Sequence, residues 1–328
     1  MISDRPLTQP VESGQDEPDE VGRASGRPPS RASSRGSIQR RVRDLLEWAV
    51  LAAPGFLLYF VLIIGSLAVA VYYSLTNWTG VSSSFDFVGL KNYFDIPANP
   101  NVGTSFIMTF EVAIGATIAT NLLALPLAVL LNRSGFVTRV YRSILLYPVV
   151  LAPLVVGVIY ANIFGTSGAL DIVEANLGLP QTTLLADPTQ AVIALAFLCT
   201  WQTLSLCTIL YLAGLQTIPT DIVEAAEIDG ANSWQRFRHI TVPLLAPTMT
   251  VNVVLLMIWF MRTYDYVVGM TGGGPAGATT TVAFLLLGEA FNGFRYGFAS
   301  AIAIVLLAVS IILAGIIFVL SRRREAFL

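Results

Sequence analysis

Few residues in this 328-residue chain could do chemistry, and their spacing closes most reaction classes. Lys91 is the single lysine among 19 cationic residues, and Asn92 follows it. A phosphate-cradling Walker loop needs a glycine-rich turn ending in Lys-Ser or Lys-Thr, so ATP cannot be hydrolysed here by that route. Gly272, Gly273 and Gly274 lack the strand-to-helix setting of a nucleotide loop and read as a flexible outer loop that touches a partner or gates a path. His239 is the only histidine, so no His-rich metal site can be assembled, and beside arginines it reads as a solvated surface residue. Cys199 and Cys207 stand about 12 Å apart along one helix, beyond disulfide reach, and read as small core hydrophobes. Arg262 and Asp265, three residues apart, can pair on one helical face at the outer end of a span. Glu111 and Glu289 lack an obvious partner in the chain. No nucleophile, metal or acid–base constellation stands out, so the chain does not read as an enzyme. Its formal net charge of −2 argues neither way on nucleic acid, and no nucleic-acid partner is expected.

The elements that must position these residues are set by composition. Hydrophobic residues make up 55% of the chain, charged residues 12%, and the mean hydropathy is +0.69. A soluble domain carries about 25% charge, so the expected solvent is lipid. Six apolar runs, at about 48–75, 105–131, 143–164, 189–215, 244–269 and 298–320, are long enough to span a bilayer. Residues 1–44 are rich in Pro, Ser, Gly and charge and read as a disordered tail, without the apolar core of a cleavable signal peptide. Sixteen of the 19 cations fall in the tail, 132–142, 216–243 and the C-terminal 322–328, which places both termini in the cytoplasm by the positive-inside rule. The fold class is therefore an all-α polytopic membrane protein with six transmembrane helices. Outer segment 77–104 carries Trp78, Phe85, Phe87, Tyr93 and Phe94 and suits the headgroup level. Pro148 and Pro153 should kink or widen the third span, either to line a pathway or simply to pack.

Segment 216–243, between the fourth and fifth runs, is long and patterned for a loop. Thr220 can cap a short helix whose Asp221, Glu224 and Glu227 suit its positive end. Asp229-Gly230 supplies a stop, and a second short helix can start at Asn232 or Ser233 and run through Trp234, Phe237 and Ile240 to Pro243. Ala225 and Ala226 offer a close-approach surface ringed by charge, as a docking knob for another protein requires.

Glu224-Ala225-Ala226, Gly230, Ile240 and Pro243 resemble the EAA loop of inner-membrane permease subunits of binding-protein-dependent ABC importers. Val242 stands where that family usually has leucine. Phe87-Val88-Gly89-Leu90-Lys91-Asn92-Tyr93, the prolines 148 and 153, and Thr271-Gly272-Gly273-Gly274-Pro275 resemble the sugar-importing, maltose-type branch, and the likeness covers roughly 48–320. The resemblance implies a type I importer transmembrane fold in a bacterial or archaeal plasma membrane. It further implies a second permease forming a heterodimer, an ATP-binding cassette ATPase dimer that binds the ATP and magnesium, and an extracytoplasmic solute-binding protein that delivers sugar. Glu224, Ala225, Ala226, Asp229, Gly230, Ile240 and Pro243 would couple the chain to the ATPase. Trp201 matches the relatives' sugar-stacking position, with Gln202 and Thr203 beside it. Phe260, Arg262, Thr263 and Asp265 complete the implied substrate pathway, although Leu256, Phe260 and Thr263 depart from the relatives' polar pattern. The substrate class stays open between a di- or oligosaccharide and a solute such as glycerol-phosphate. An ion-coupled secondary transporter would need paired intramembrane carboxylates or inverted repeats, and neither is evident.

Overall fold

The computed structural model describes residues 49–132, 135–180, 182 and 184–325. The expected tail at 1–44 lies outside the described residues. The described residues fall into two units that divide between Leu62 and Ile63. Among the described residues there is no strand, only an isolated antiparallel bridge between Thr76 and Phe87.

Helix α1 covers Ala49–Ser74, with a π-helical stretch at Phe60–Gly65. It is followed by α2 (Lys91–Ala98), α3 (Pro100–Leu131), α4 (Phe136–Val150), α5 (Pro153–Phe164) and α6 (Ala169–Asn176). The chain continues through α7 (Pro188–Leu215), α8 (Thr220–Ile228), α9 (Ser233–Leu244, with a π-helical stretch at Phe237–Thr241) and α10 (Ala246–Met261). It ends with α11 (Asp265–Met270), α12 (Val282–Phe291) and α13 (Tyr296–Glu325). Five helical stretches among the described residues are long and apolar enough to cross a membrane, namely α1, α3, the Pro153–Asn176 stretch that joins α5 and α6, α7 and α13, or six where the bent pair α9–α10 is counted as one span.

Two of the six expected runs are not single helices. The run at 143–164 breaks at Leu151 and Ala152, whose ψ angles of 137° and 133° are extended. Pro153 is the cause, because its ring drives the preceding residue out of the helical region. The freed Leu151 carbonyl is met from α7, where Gln202 Nε2 donates to it at 2.7 Å, and Ser205 Oγ of the same helix donates to Leu145 O at 2.5 Å. Such a break survives in lipid only with partners of this kind. The run at 244–269 is also interrupted, since α10 stops at Met261 and α11 begins at Asp265.

The core is built on close crossings. On α3, Ala113, Ala116, Ala124 and Ala128 are fully buried, and Thr120 Oγ1 lies 3.3 Å from Thr203 Oγ1 of α7. Small residues let the two backbones approach where lipid offers no hydrophobic drive. Helices α5 and α11 meet at two glycines: a Cβ on Gly157 would stand 3.0 Å from Gly269 Cα. Arg142 donates to Leu131 O and so caps the end of α3.

The segment after α1 is pinned rather than loose. Asn92, 8% exposed, donates through Nδ2 to both Ser74 O and Thr76 O at 2.8 Å. Tyr73 and Trp78 stack at 4.2 Å, with Phe85 and Tyr296 edge-on or tilted beside them, whereas Phe87 and Phe94 are exposed. Asn92→Leu keeps the volume but orphans two buried carbonyls. It should cost about 2 kcal/mol, read as faster amide exchange at residues 75–94 with the distant helix α7 unchanged.

Candidate functional site

The projecting part of the fold is α8 with α9. Helix α8 buries none of its residues, and Glu224, Ala225, Asp229 and Gly230 are exposed while Ala226 is half-buried. Thr220 is the first helical residue, with Pro219 in the cap position, so the expected threonine cap is not formed. A non-helical proline before the first turn sets the entry instead. The other end closes as the sequence predicts. Gly230 takes φ +82°, its N–H donates to Glu227 O at 3.0 Å, and Ala231 N–H donates to Ala226 O at 2.9 Å. This pair of bonds is the Schellman arrangement, which requires a left-handed residue at that position.

Helix α9 opens with a reciprocal capping box: Gln235 N donates to Asn232 Oδ1 at 2.9 Å, and Asn232 N to Gln235 Oε1 at 2.8 Å. Arg236 forms an ion pair with Glu227 across the glycine turn, fixing the angle between the two short helices. Sequence spacing gave no sign of this pair, because the residues lie on different helices. His239 is exposed, with Nδ1 3.1 Å from Gln235 O. Ile228, 87% exposed, Ile222 and Trp234 leave apolar surface on the pair that nothing among the described residues covers. Ile240 and Pro243 are half-buried, and the chain then bends by 65° into α10 at the fully buried Leu245. At this bend Gly214 of α7 sits so close that a Cβ would meet Thr248 Oγ1 at 2.5 Å.

The residues expected along a substrate path are spread over several surfaces. Trp201 is half-buried, with its ring 5.5 Å from that of Tyr160 on α5. Gln202 spends its amide on Leu151 O, leaving Oε1 without a partner, and Thr203 Oγ1 donates to Cys199 O at 2.7 Å. Successive helical residues point about 100° apart, so these three side chains face different neighbours. Phe260 is fully buried. Arg262 and Asp265 do not share a helix face, because the helix ends between them, and no ion pair joins them among the described residues. Both line a cavity of 160 Å³ at the α10–α11 break, together with Pro153 from the other broken run and Thr263, whose Oγ1 has no partner. Glu289, expected to be alone, pairs with Arg295 at 3.2 Å.

Residues 120–326 match the family described as the inner membrane component of binding-protein-dependent transport systems. The chain belongs to that family. This permease is 32% identical to the multiple sugar-binding transport system permease protein MsmF of Streptococcus mutans, over 88% of this chain and 99% of the relative. It is 35% identical to the trehalose/maltose transport system permease protein MalF of Thermococcus litoralis, over 66% of this chain and 74% of that one. A chain of a bacterial alginate ABC transporter, solved with an alginate pentasaccharide-bound periplasmic protein, superimposes with a TM-score of 0.76 at 18% identity. It covers 88% of this permease and 97% of that chain, and it establishes the fold.

The permease's glycine-rich segment is not the flexible loop its composition predicts. Thr271 Oγ1 and Thr279 Oγ1 lie 2.6 Å apart, and Thr279 Oγ1 donates to Gly274 O at 2.7 Å. Thr281 Oγ1 donates to Thr263 O at 2.6 Å, tying this turn to the α10–α11 break. The run of threonines at 279–281 was the available signal, because buried hydroxyls must find acceptors.

Proposed function

We propose that this permease subunit conducts a saccharide across the cytoplasmic membrane as one half of a two-permease pathway. The α8–α9 projection carries the reading. It is a pair of short helices held at a fixed angle by a Schellman turn and an ion pair, exposing uncovered apolar surface, in a chain with no ATP loop of its own. Glu224, Ala225, Ala226, Asp229 and Gly230 form the face that enters a cleft of a partner ATPase. Ile240 and Pro243 pass the displacement to α10. ATP and magnesium are held by the ATPase dimer, and both termini of this chain stand on its side of the membrane. An extracytoplasmic binding protein supplies the substrate from the other side.

The substrate class rests on the sugar systems named for the relatives and on Trp201, whose indole suits the apolar face of a pyranose. The path runs past Trp201, Gln202 and Thr203 toward Phe260, Arg262, Thr263 and Asp265, the last three of which line the cavity at the α10–α11 break. ATP binding draws the projections together and opens the path outward, and hydrolysis resets it.

Vesicles holding the chain with its partner permease and ATPases should accumulate labelled maltotriose only with ATP enclosed and binding protein outside. Uptake driven by an ion gradient without ATP would reject the proposal. Trp201→Ala should lower uptake about tenfold, the loss of roughly 1.4 kcal/mol, with the complex still assembled. Unchanged uptake kinetics in that variant would remove Trp201 from the path.

A further inference from the structure

Glu111 is the one ionisable residue of α3, and it stands on a face that the chain itself leaves open. The helix has 32 residues and rises about 48 Å, against a hydrocarbon layer of about 30 Å. With the excess shared between the two ends, apolar depth begins about 9 Å along the helix from Pro100, and Glu111, about 16 Å along, lies inside it. The residue is exposed and has no hydrogen bond or ion pair among the described residues. Lysine and arginine reach the interface from such a depth on long stems, but the glutamate stem is shorter. A carboxylate at this level is costly in lipid and persists where a partner charge or water meets it.

The neighbours of Glu111 decide between those two. Ile107, Glu111, Ile114 and Ile118 recur at intervals of four, three and four residues, the spacing of a seam between packed helices. All four are exposed. They lie opposite the side on which Val112, Ala113 and Ala116 are buried in the core. Beside the seam a Cβ on Gly115 would meet nothing within 4 Å, and such a small residue lets a second backbone come close. The wall of a water-filled path would be polar along its length. Here a single carboxylate is set among isoleucines, as a polar residue is set in a helix seam to fix its register.

We propose that this face of α3 packs against a transmembrane helix of the second permease, which sets a basic side chain opposite Glu111. The inference rests on the two-permease reading above and adds to it the surface and the charge of the contact. The carboxylate and the cation neutralise each other, and the isoleucines on either side close the pair from lipid. Neither charge is tolerated alone at this depth, so the pair also sets the register of the two helices and selects the partner.

The test uses the complete transporter in membranes, with the photocrosslinker p-benzoylphenylalanine placed at Ile107 or at Ile118. Irradiation should join the chain to the second permease from both positions. A complex that accumulates maltotriose but yields adducts with lipid alone, or no adduct, overturns the interface and leaves two-permease transport standing. A transporting complex that contains no second permease overturns both. Glu111→Ile should lower the amount of second permease recovered with the chain about tenfold or more, because the partner's cation is left uncompensated. Glu111→Asp keeps the charge and should retain most of the recovery. Undiminished recovery with the isoleucine variant, or equal loss in both variants, overturns the charge pairing.

Discussion

Gly230→Val should reduce ATP-driven uptake about tenfold or more while the chain still reaches the membrane in normal amount. The side chain itself has room, since a Cβ at Gly230 meets nothing within 4 Å. The penalty is conformational: φ is +82°, and a left-handed backbone costs an L-residue about 1–2 kcal/mol, more for a β-branched one. The chain escapes by releasing the Ala231 to Ala226 bond, which turns α9 and separates Arg236 from Glu227. The projection then no longer presents one rigid face. Gly230→Asn is the control, because asparagine tolerates the left-handed region and should keep most of the uptake. Equal loss in both variants would show that the glycine is needed for closeness to a partner, not for its dihedral angle. Full uptake in the valine variant would remove the turn from the coupling mechanism.

Gly269→Val should be the most damaging single change for stability. At this crossing a Cβ would stand 2.5 Å from Leu154 O and 3.0 Å from both Gly157 Cα and Val158 N, so the obstacle is backbone and cannot rotate away. Overpacked cores lose about 1–3 kcal/mol when side chains can adjust, and here α5 must separate from α11 altogether. The melting midpoint of the purified chain should fall by about 5–10 °C, using about 2–4 °C per kcal/mol for a domain of this size. Gly55→Val, at a site where a Cβ meets nothing within 4 Å, should leave the midpoint unchanged. A Gly269→Val chain that melts with the unaltered one would mean that the crossing is not made in the membrane.

Hydropathy made the long helices legible, and Asp229-Gly230 and Asn232 made the turn of the projection legible, although Thr220 does not form its expected cap. Asn232, Gln235 and Gly230 carry their conformations in their side-chain chemistry, so local rules suffice there. The breaks were harder. Pro153 announced a disturbance but not whether the helix would bend or part; the answer lies in Gln202, 51 residues away, which satisfies the freed Leu151 carbonyl. The α10–α11 break has no proline or glycine at all. Its partner is Thr281, whose hydroxyl binds Thr263 O, and such a tertiary bond leaves no trace in hydropathy or period. Glu289 and Arg295 escaped for a related reason: six residues apart across a helix end, they match no helical repeat. The candidate path residues were readable as types, but three consecutive positions on one helix could not tell which neighbour each would meet.

Cys199 and Cys207 are the only thiols in the chain, and both are free and buried inside α7. The native protein is therefore a quiet background for chemical labelling, because a water-borne maleimide finds no accessible sulfur. One cysteine introduced at the exposed Ala225 or Asn101 becomes the sole reactive handle, and the side of a sealed vesicle from which it is modified reads the membrane sidedness directly.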